Sequence, residues 1–299
     1  MLETQDHGAV RELRLARPPV NAFGSALTTA LVQAIEVAEQ QAAADGSIRA
    51  LVLSGAPGIF SAGLDVREVT GSTDTAMALV HAFSTLQQRL ARCSLPLIAA
   101  ITGHCPAGGT VVSVLCDQRI MAAGDFRIGL NEVQVGLYPG ETIFRVYERL
   151  IGPARAAEML GRGAMVDPAK ALAMGLVDEV VEPSLVRDVA LARAQEYAGL
   201  PPQTAARTRA MVRADLVRLY DTPRESLESL LADGWVTAET RAAMLAALRR
   251  TALSAVLLPI VGTAAESTAA DTAAGAGSST GAATGALAGQ ATAKVVKPS

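Results

Sequence analysis

The chain has 299 residues, half of them hydrophobic but only 3% aromatic, with 18% charged and a formal net charge of -3. That length supports one sizeable core, alone or with an appendage, and the aliphatic bias builds it from Ala, Val, Leu and Ile. The slight acidic balance excludes the basic surplus of a nucleic-acid surface, and Cys93, Cys105 and Cys116, an odd set without CxxC spacing, exclude a disulfide framework and a zinc site.

Met1-Leu2-Glu3-Thr4 has neither the basic nor the apolar region of a signal peptide. The most apolar stretch, Leu253 to Val261, is interrupted by Pro259 and is too short to span a bilayer. The expectation is a cytoplasmic protein with no membrane partner.

In chain order, Glu12-Leu13-Arg14-Leu15 alternates as a half-buried strand would. Ser25 is placed to cap a helix with Leu27, Leu31, Ile35 and Ala38 on one face. Arg49 to Leu53 reads as a buried strand, ended by Ser54-Gly55-Ala56-Pro57-Gly58. A second helix carries Leu79, Phe83, Leu86 and Leu90, and Pro96 to Ile101 is the next strand. The turn Gly103 to Gly109 leads into an apolar helix from Thr110 to Leu115; Arg119 to Ala122 and Leu176 to Val181 are the remaining strands. Alternating strands and helices imply an α/β fold. From Pro183 to Leu248 the signals are helical, with Trp235 as a packing residue. From about Gly262 the sequence is Ala, Gly, Ser and Thr without aromatics, too poor in apolar surface to offset its ordering entropy. The expected organisation is a core over 1–190, a helical region over 191–255 and a disordered tail over 256–299.

Three segments carry chemistry: Phe60-Ser61-Ala62-Gly63-Leu64-Asp65, the turn Gly103 to Gly109, and Ile128 to Leu137 with Glu132 inside an apolar run. Glycine turns and helix starts leave backbone N–H groups unshielded, and two such donors can converge on one developing oxyanion. Taken alone, the glycines could equally do no more than make tight turns. Burial of Glu132 would raise its pKa towards the range useful for moving protons; taken alone, it could equally be a surface carboxylate.

Together these segments resemble the enoyl-CoA hydratase/isomerase (crotonase) family over roughly residues 8 to 250. Pro19-Val20-Asn21-Ala22, Gly152-Pro153-Ala154-Arg155-Ala156 and Ala171 to Asp178 add to the likeness in the right order. The resemblance implies a spiral of ββα repeats with a C-terminal helical region used in trimer formation, so a homotrimer or a dimer of trimers. It implies acyl-CoA thioester substrates, with coenzyme A as part of the substrate and no separate cofactor or metal. By the same analogy Glu132 is the catalytic acid/base, and the backbone N–H groups of Ala62 and Gly108 form the oxyanion hole. Ser61, Gly63, Leu64, Asp65, Gly109 and Asn131 fall among the substrate-binding residues, and the stretches Val69 to Phe83 and Val135 to Phe144 line the acyl pocket.

Hydratases of the family resemble one another in carrying two glutamates, and here the first of those positions is Val111. Moving a double bond needs only one acid/base group, and the motifs look most like those of the Δ3-Δ2-enoyl-CoA isomerases. A hydratase using Glu132 with Glu141 and a non-catalytic acyl-CoA-binding homologue are the alternatives. Glu141 otherwise caps the helix that follows it. A lone histidine in a turn, His104, reads as structural, and Cys105 lacks the partner base that a nucleophile needs.

Overall fold

The computed structural model describes residues 1–223, 226–232, 237–244 and 246. The expected tail over 256–299 and Trp235 lie outside the described residues. A hairpin, β1 (Leu2–His7) and β2 (Val10–Leu15), opens the chain and is followed by α1 (Ser25–Asp45). Three successive segments then each lay down a longer strand, a short strand and a helical stretch. The first is β3 (Ala50–Ser54), β4 (Gly58–Ile59), α2 (Val66–Val69) and α3 (Thr73–Arg92). The second is β5 (Leu97–Ile101), β6 (Gly103–Pro106) and α4 (Gly108–Val114). The third is β7 (Gln118–Ala122), β8 (Ile128–Gly129), a 3-10 turn at Glu132–Val135, and the helices α5 (Glu141–Ile151), α6 (Pro153–Arg162) and α7 (Pro168–Met174). Then come β9 (Glu179–Val181), α8 (Val186–Gly199), α9 (Pro202–Val212) and α10 (Ala214–Asp221).

The longer strands form one six-stranded sheet in the order β1-β2-β3-β5-β7-β9, parallel from β2 onward; the short ones form a second sheet, β4-β6-β8. This is the spiral of ββα repeats with a helical C-terminal part that the sequence led one to expect. Among the described residues no helix is long and apolar enough to cross a membrane.

The structure corrects four sequence expectations. Gly103 to Pro106 is a strand rather than part of a turn, because it is sandwiched between β4 and β8. A Cβ at Gly103 would stand 2.0 Å from the Gly58 carbonyl carbon, so only glycine permits that pairing. Ser25 does not cap α1: the N-cap is Gly24, and the Ser25 N–H and hydroxyl both donate to the Glu68 carboxylate, at 2.9 and 2.6 Å. Strand β2 is buried on both faces rather than one, since α8 packs across β2, β3, β5 and β7. Its Glu12 is covered as a result and accepts hydrogen bonds from Ser54 (2.5 Å) and from Arg187 at the start of α8 (2.5 and 2.8 Å). Burial pushes the Glu12 pKa up, but these donors outweigh it and hold the carboxyl below its ordinary value. Finally, the boundary drawn at 190 falls inside α8, whose Val186, Ala190, Ala194 and Ala198 close a second apolar cluster with Val52, Ile98 and Ile120. A helix that covers one face of the sheet belongs to the core.

Helices α9 and α10 are tied to the sheet by a buried charge cluster. Asp117 accepts from Arg209 (2.8 Å), Arg213 (3.1 Å) and the Leu97 N–H (2.8 Å). Arg213 also donates to the carbonyls of Leu90 and Leu115, both at 3.0 Å. Burial lowers the Arg213 pKa, and Asp117 opposes that. Two guanidinium groups left in the interior without their carboxylate are costly, so Asp117→Ala should destabilise the fold by about 3–5 kcal/mol in urea denaturation.

Candidate functional site

The three chemistry-bearing segments meet where the short strands end. Loop 60–65 is held first by Asn21, a non-glycine residue at φ +50°. Its Nδ2 donates to the Phe60 carbonyl (3.2 Å) and its own carbonyl accepts from the Ser61 hydroxyl (2.7 Å). The Ser61 Oγ accepts in turn from the Gly63 N–H (3.1 Å). Asp65 caps α2 through the Arg67 N–H (3.0 Å) and pairs with Arg17 (2.5 Å). The loop is therefore over-determined before any ligand arrives.

This loop lies directly on the start of α4. A Cβ at Gly63, where φ is +92°, would meet the Ala107 Cβ at 2.9 Å and the Gly108 nitrogen at 3.1 Å; one at Gly108 would stand 3.3 Å from the Gly63 Cα. Ala107, the residue before α4, has φ +48° and ψ -123°, a strained conformation for an L-residue. It is fixed on both sides: its N–H donates to the Gly129 carbonyl (2.9 Å), and its carbonyl accepts from Val111. Thr110 completes the joint by donating to the Cys105 and Gly129 carbonyls and accepting from the Gly129 N–H (3.0 Å). Glu132 follows Gly129 by three residues, so the strand end that leads into the carboxylate-bearing turn is bonded to the residue that precedes Gly108.

Four assignments change, those of Ala62, Ser61, Gly63 and Asp65. The Ala62 N–H donates to the Val20 carbonyl at 2.9 Å and is not free for an oxyanion. On the same loop, neighbouring N–H groups are also taken: Gly63 by Ser61, and Asp65 by the Phe23 carbonyl. The Leu64 N–H has no acceptor among the described residues, and it adjoins Gly63, which abuts Gly108. Leu64 thus replaces Ala62 beside Gly108, whose N–H is one of the unpaired donors at the start of α4. Ser61 is fully buried with its hydroxyl consumed internally, so it shapes the loop and does not reach a ligand. Gly63 and Asp65 likewise serve the backbone of the loop. Gly109 packs under it: a Cβ there would lie 2.9 Å from the Ser61 carbonyl oxygen. Asn131 is half-buried at the N-cap of the Glu132 turn, its carbonyl accepting from Gln134.

Glu132 is buried, with 8% of its surface exposed, and its Oε2 has no partner among the described residues. Burial pushes its pKa up to about 7, opposed only by its own backbone N–H. Val111 on α4 is buried and apolar. Glu141 is half-buried at the start of α5 and pairs with Arg145 (3.2 Å). His104 is exposed; its Nδ1 accepts from the Arg127 N–H (3.2 Å) and its ring meets Phe126 edge-on. Cys105 is buried, and burial pushes its thiol pKa up, away from thiolate chemistry. The stretches expected to line an acyl pocket do converge: Val69, Leu79 and Leu137 form one apolar cluster with Leu64 and Val135 packed against it. Sequence reasoning missed its fourth member, Met244, which the hydrogen bonds of Arg241 to the Thr70 and Gly71 carbonyls and of Thr240 to Gly136 hold in place. No sequence signal marked Met244, because an isolated methionine on a helix reads as ordinary core.

Comparisons with known proteins identify the family and the fold. The profile of the enoyl-CoA hydratase/isomerase family matches residues 5–246. The chain is 36% identical to human mitochondrial enoyl-CoA delta isomerase 1 over 230 residues, covering 76% of this chain and 75% of that one. It is 31% identical to a probable enoyl-CoA hydratase of Bacillus subtilis over 216 residues, 71% of this chain and 81% of the other. Among solved structures, human mitochondrial Δ3-Δ2-enoyl-CoA isomerase superposes with a TM-score of 0.76 at 30% identity, covering 85% of this chain and 98% of that one.

A carboxyl whose pKa is raised by folding costs stability wherever the unfolded chain is ionised. For Glu132 the cost is absent below about pH 4.5, grows as pH rises through the ordinary carboxyl value, and is complete above about pH 7. The neutral isostere Glu132→Gln should accordingly stabilise the protein by about 3 kcal/mol at pH 8 and by little at pH 4, measured by denaturant unfolding at both pH values.

Proposed function

The chain belongs to the enoyl-CoA hydratase/isomerase family, and we propose that within it this protein shifts a double bond of enoyl-CoA thioesters from C3 to C2. The observation that carries this reading is Glu132, a buried carboxyl with an unpartnered oxygen, three residues beyond the Gly129 that is bonded to the start of α4. In this reading the thioester carbonyl accepts from the Leu64 and Gly108 N–H groups. The Glu132 carboxylate removes a C2 proton, which the thioester and the adjacent alkene both acidify. The electron pair passes into a dienolate whose oxygen the two fixed donors stabilise, each contributing about 3–4 kcal/mol. The protonated Glu132 then returns the proton at C4, leaving the conjugated 2-enoyl thioester and a carboxylate as at the start. A pKa of about 7 suits a group that must both take and give a proton near neutrality.

Hydration would ask for a second acid to work with Glu132. Val111 offers none, and the ion pair of Glu141 with Arg145 supports a role for Glu141 on the surface of α5. Leu64, Gly109 and Asn131 keep their place along the bound acyl-CoA. The homotrimer, or dimer of trimers, and the cytoplasmic location belong to the same reading; the three free cysteines support a reducing compartment.

Incubation with cis-3-hexenoyl-CoA should produce the ultraviolet absorbance of the conjugated thioester, while crotonyl-CoA in a parallel cuvette should lose little of its own. Glu132→Gln should lower the isomerisation rate by about 10³-fold or more. Gly63→Ala, which places a methyl group against the Gly108 nitrogen, should lower kcat by about 10²-fold. With the wild type, kcat should rise with pH to a plateau above about pH 7, because the carboxylate is the form that abstracts the proton. Binding of acyl-CoA without turnover would reject the isomerase reading in favour of a binding protein, and rapid hydration of crotonyl-CoA would favour a hydratase.

A further inference from the structure

One polar side chain of α5 has no role in the reaction as proposed. Tyr147 is fully buried, and its hydroxyl has no hydrogen-bond partner among the described residues. Buried phenols normally find an acceptor, because leaving the group unpaired forfeits its hydration. Its surroundings are those of the main apolar core, which also holds Val111, Val112 and Leu130, and α5 packs on α4. The charge of Glu132 reaches Tyr147; the other titratable group near enough to do so, Cys105, is neutral. The Glu132 Oε2 is itself buried without a partner. A donor that lacks an acceptor and an acceptor that lacks a donor thus lie within electrostatic reach of each other, in a region lined by aliphatic side chains.

We propose that Tyr147 is a positioning residue for Glu132, its hydroxyl being the donor reserved for the Glu132 carboxylate, reached directly or through one bridging water when the carboxyl ionises. The inference rests on the reading of Glu132 as the acid/base group. Burial raises the Tyr147 pKa, and the charge of Glu132 pushes it further the same way, so the phenol keeps its proton and acts only as a donor. A donor to the ionised carboxyl favours that form, tempering the effect of burial, and fixes the direction in which Oε2 points.

The other charged groups nearby are engaged elsewhere. On α5, Arg145 pairs with Glu141 and Glu148, and Arg149 pairs with Asp215 of α10. On α6, which packs against the Glu132 turn, Arg162 pairs with Glu158 at the surface; Arg155 on the same helix is exposed. On β6, His104 is exposed and Cys105 is held neutral by burial. Burial dominates the Glu132 pKa, so a change at Tyr147 should be visible against it.

The test compares wild type with Tyr147→Phe, and in parallel with Tyr147→Leu should the first variant fold poorly. The Glu132 carboxyl is titrated by carbon NMR in protein labelled at the glutamate δ-carbon, with Glu132→Gln identifying its resonance. The pH dependence of 3-enoyl-CoA isomerisation is measured alongside. Loss of the donor should move both the titration midpoint and the acid limb of kcat to higher pH by about one unit. A purely structural role for Tyr147 would leave both in place, and an unchanged midpoint in a folded variant overturns the proposal. Should wild type fail to turn over 3-enoyl-CoA, the isomerase reading falls, while the NMR midpoint still decides whether Tyr147 acts on Glu132.

Discussion

The close approach of Gly63 to Gly108 organises the rest of the site. Two loops from different ββα repeats come so near that neither glycine admits a side chain without displacing backbone. That proximity joins two unrelated strand-to-helix connections into one corner with two unpaired backbone N–H groups, those of Leu64 and Gly108, among the described residues. The corner is maintained by strain and its compensation: Ala107 is held at positive φ because its N–H is bonded to Gly129 and its carbonyl to Val111. Strain of this kind costs about 1–3 kcal/mol and persists only where neighbouring contacts over-determine it. Here Thr110 and Asn21 supply them.

The same constraint places the carboxyl. Gly129 is bonded both to Ala107 and to Thr110, so the chain that enters the Glu132 turn is anchored at the start of α4. The energetic counterpart is a site that is unfavourable for folding at neutral pH: a nearly dry carboxyl with an unpartnered oxygen lowers stability while it gains a proton affinity useful for chemistry. The large core around it, from Leu13 to Leu216, and the Asp117–Arg209–Arg213 cluster offset that cost elsewhere.

Much of this was legible along the chain. The helical faces of Leu27, Leu31, Ile35 and Ala38, and of Leu79, Phe83, Leu86 and Leu90, are buried as their spacing required. The strands at Ala50–Ser54, Leu97–Ile101 and Gln118–Ala122 lie where apolar runs indicated. Glu132 was marked by its apolar neighbours, and it is buried. What escaped were features of two or three residues, such as β4 and β8, which are too short to carry a period. Edge strand β1 escaped too, because its Glu3-Thr4-Gln5-Asp6 sequence is polar on both faces.

Sequence by itself determined the succession of strands and helices, the apolar faces, and which residue types could stabilise an oxyanion or move a proton, since these follow from local composition and period. Only the tertiary structure decided which backbone N–H is free. Ala62 and Leu64 are two residues apart in the same loop, yet Val20 takes one and nothing among the described residues takes the other. It also decided that Glu68 rather than Ser25 serves the start of α1, that α8 buries the second face of β2, and that Tyr147 shares the apolar interior with Glu132. The physical reason is the same in each case. A hydrogen-bonding group is spent or spare according to what lies within about 3 Å of it, and it is the folding of the chain that brings that neighbour from another element.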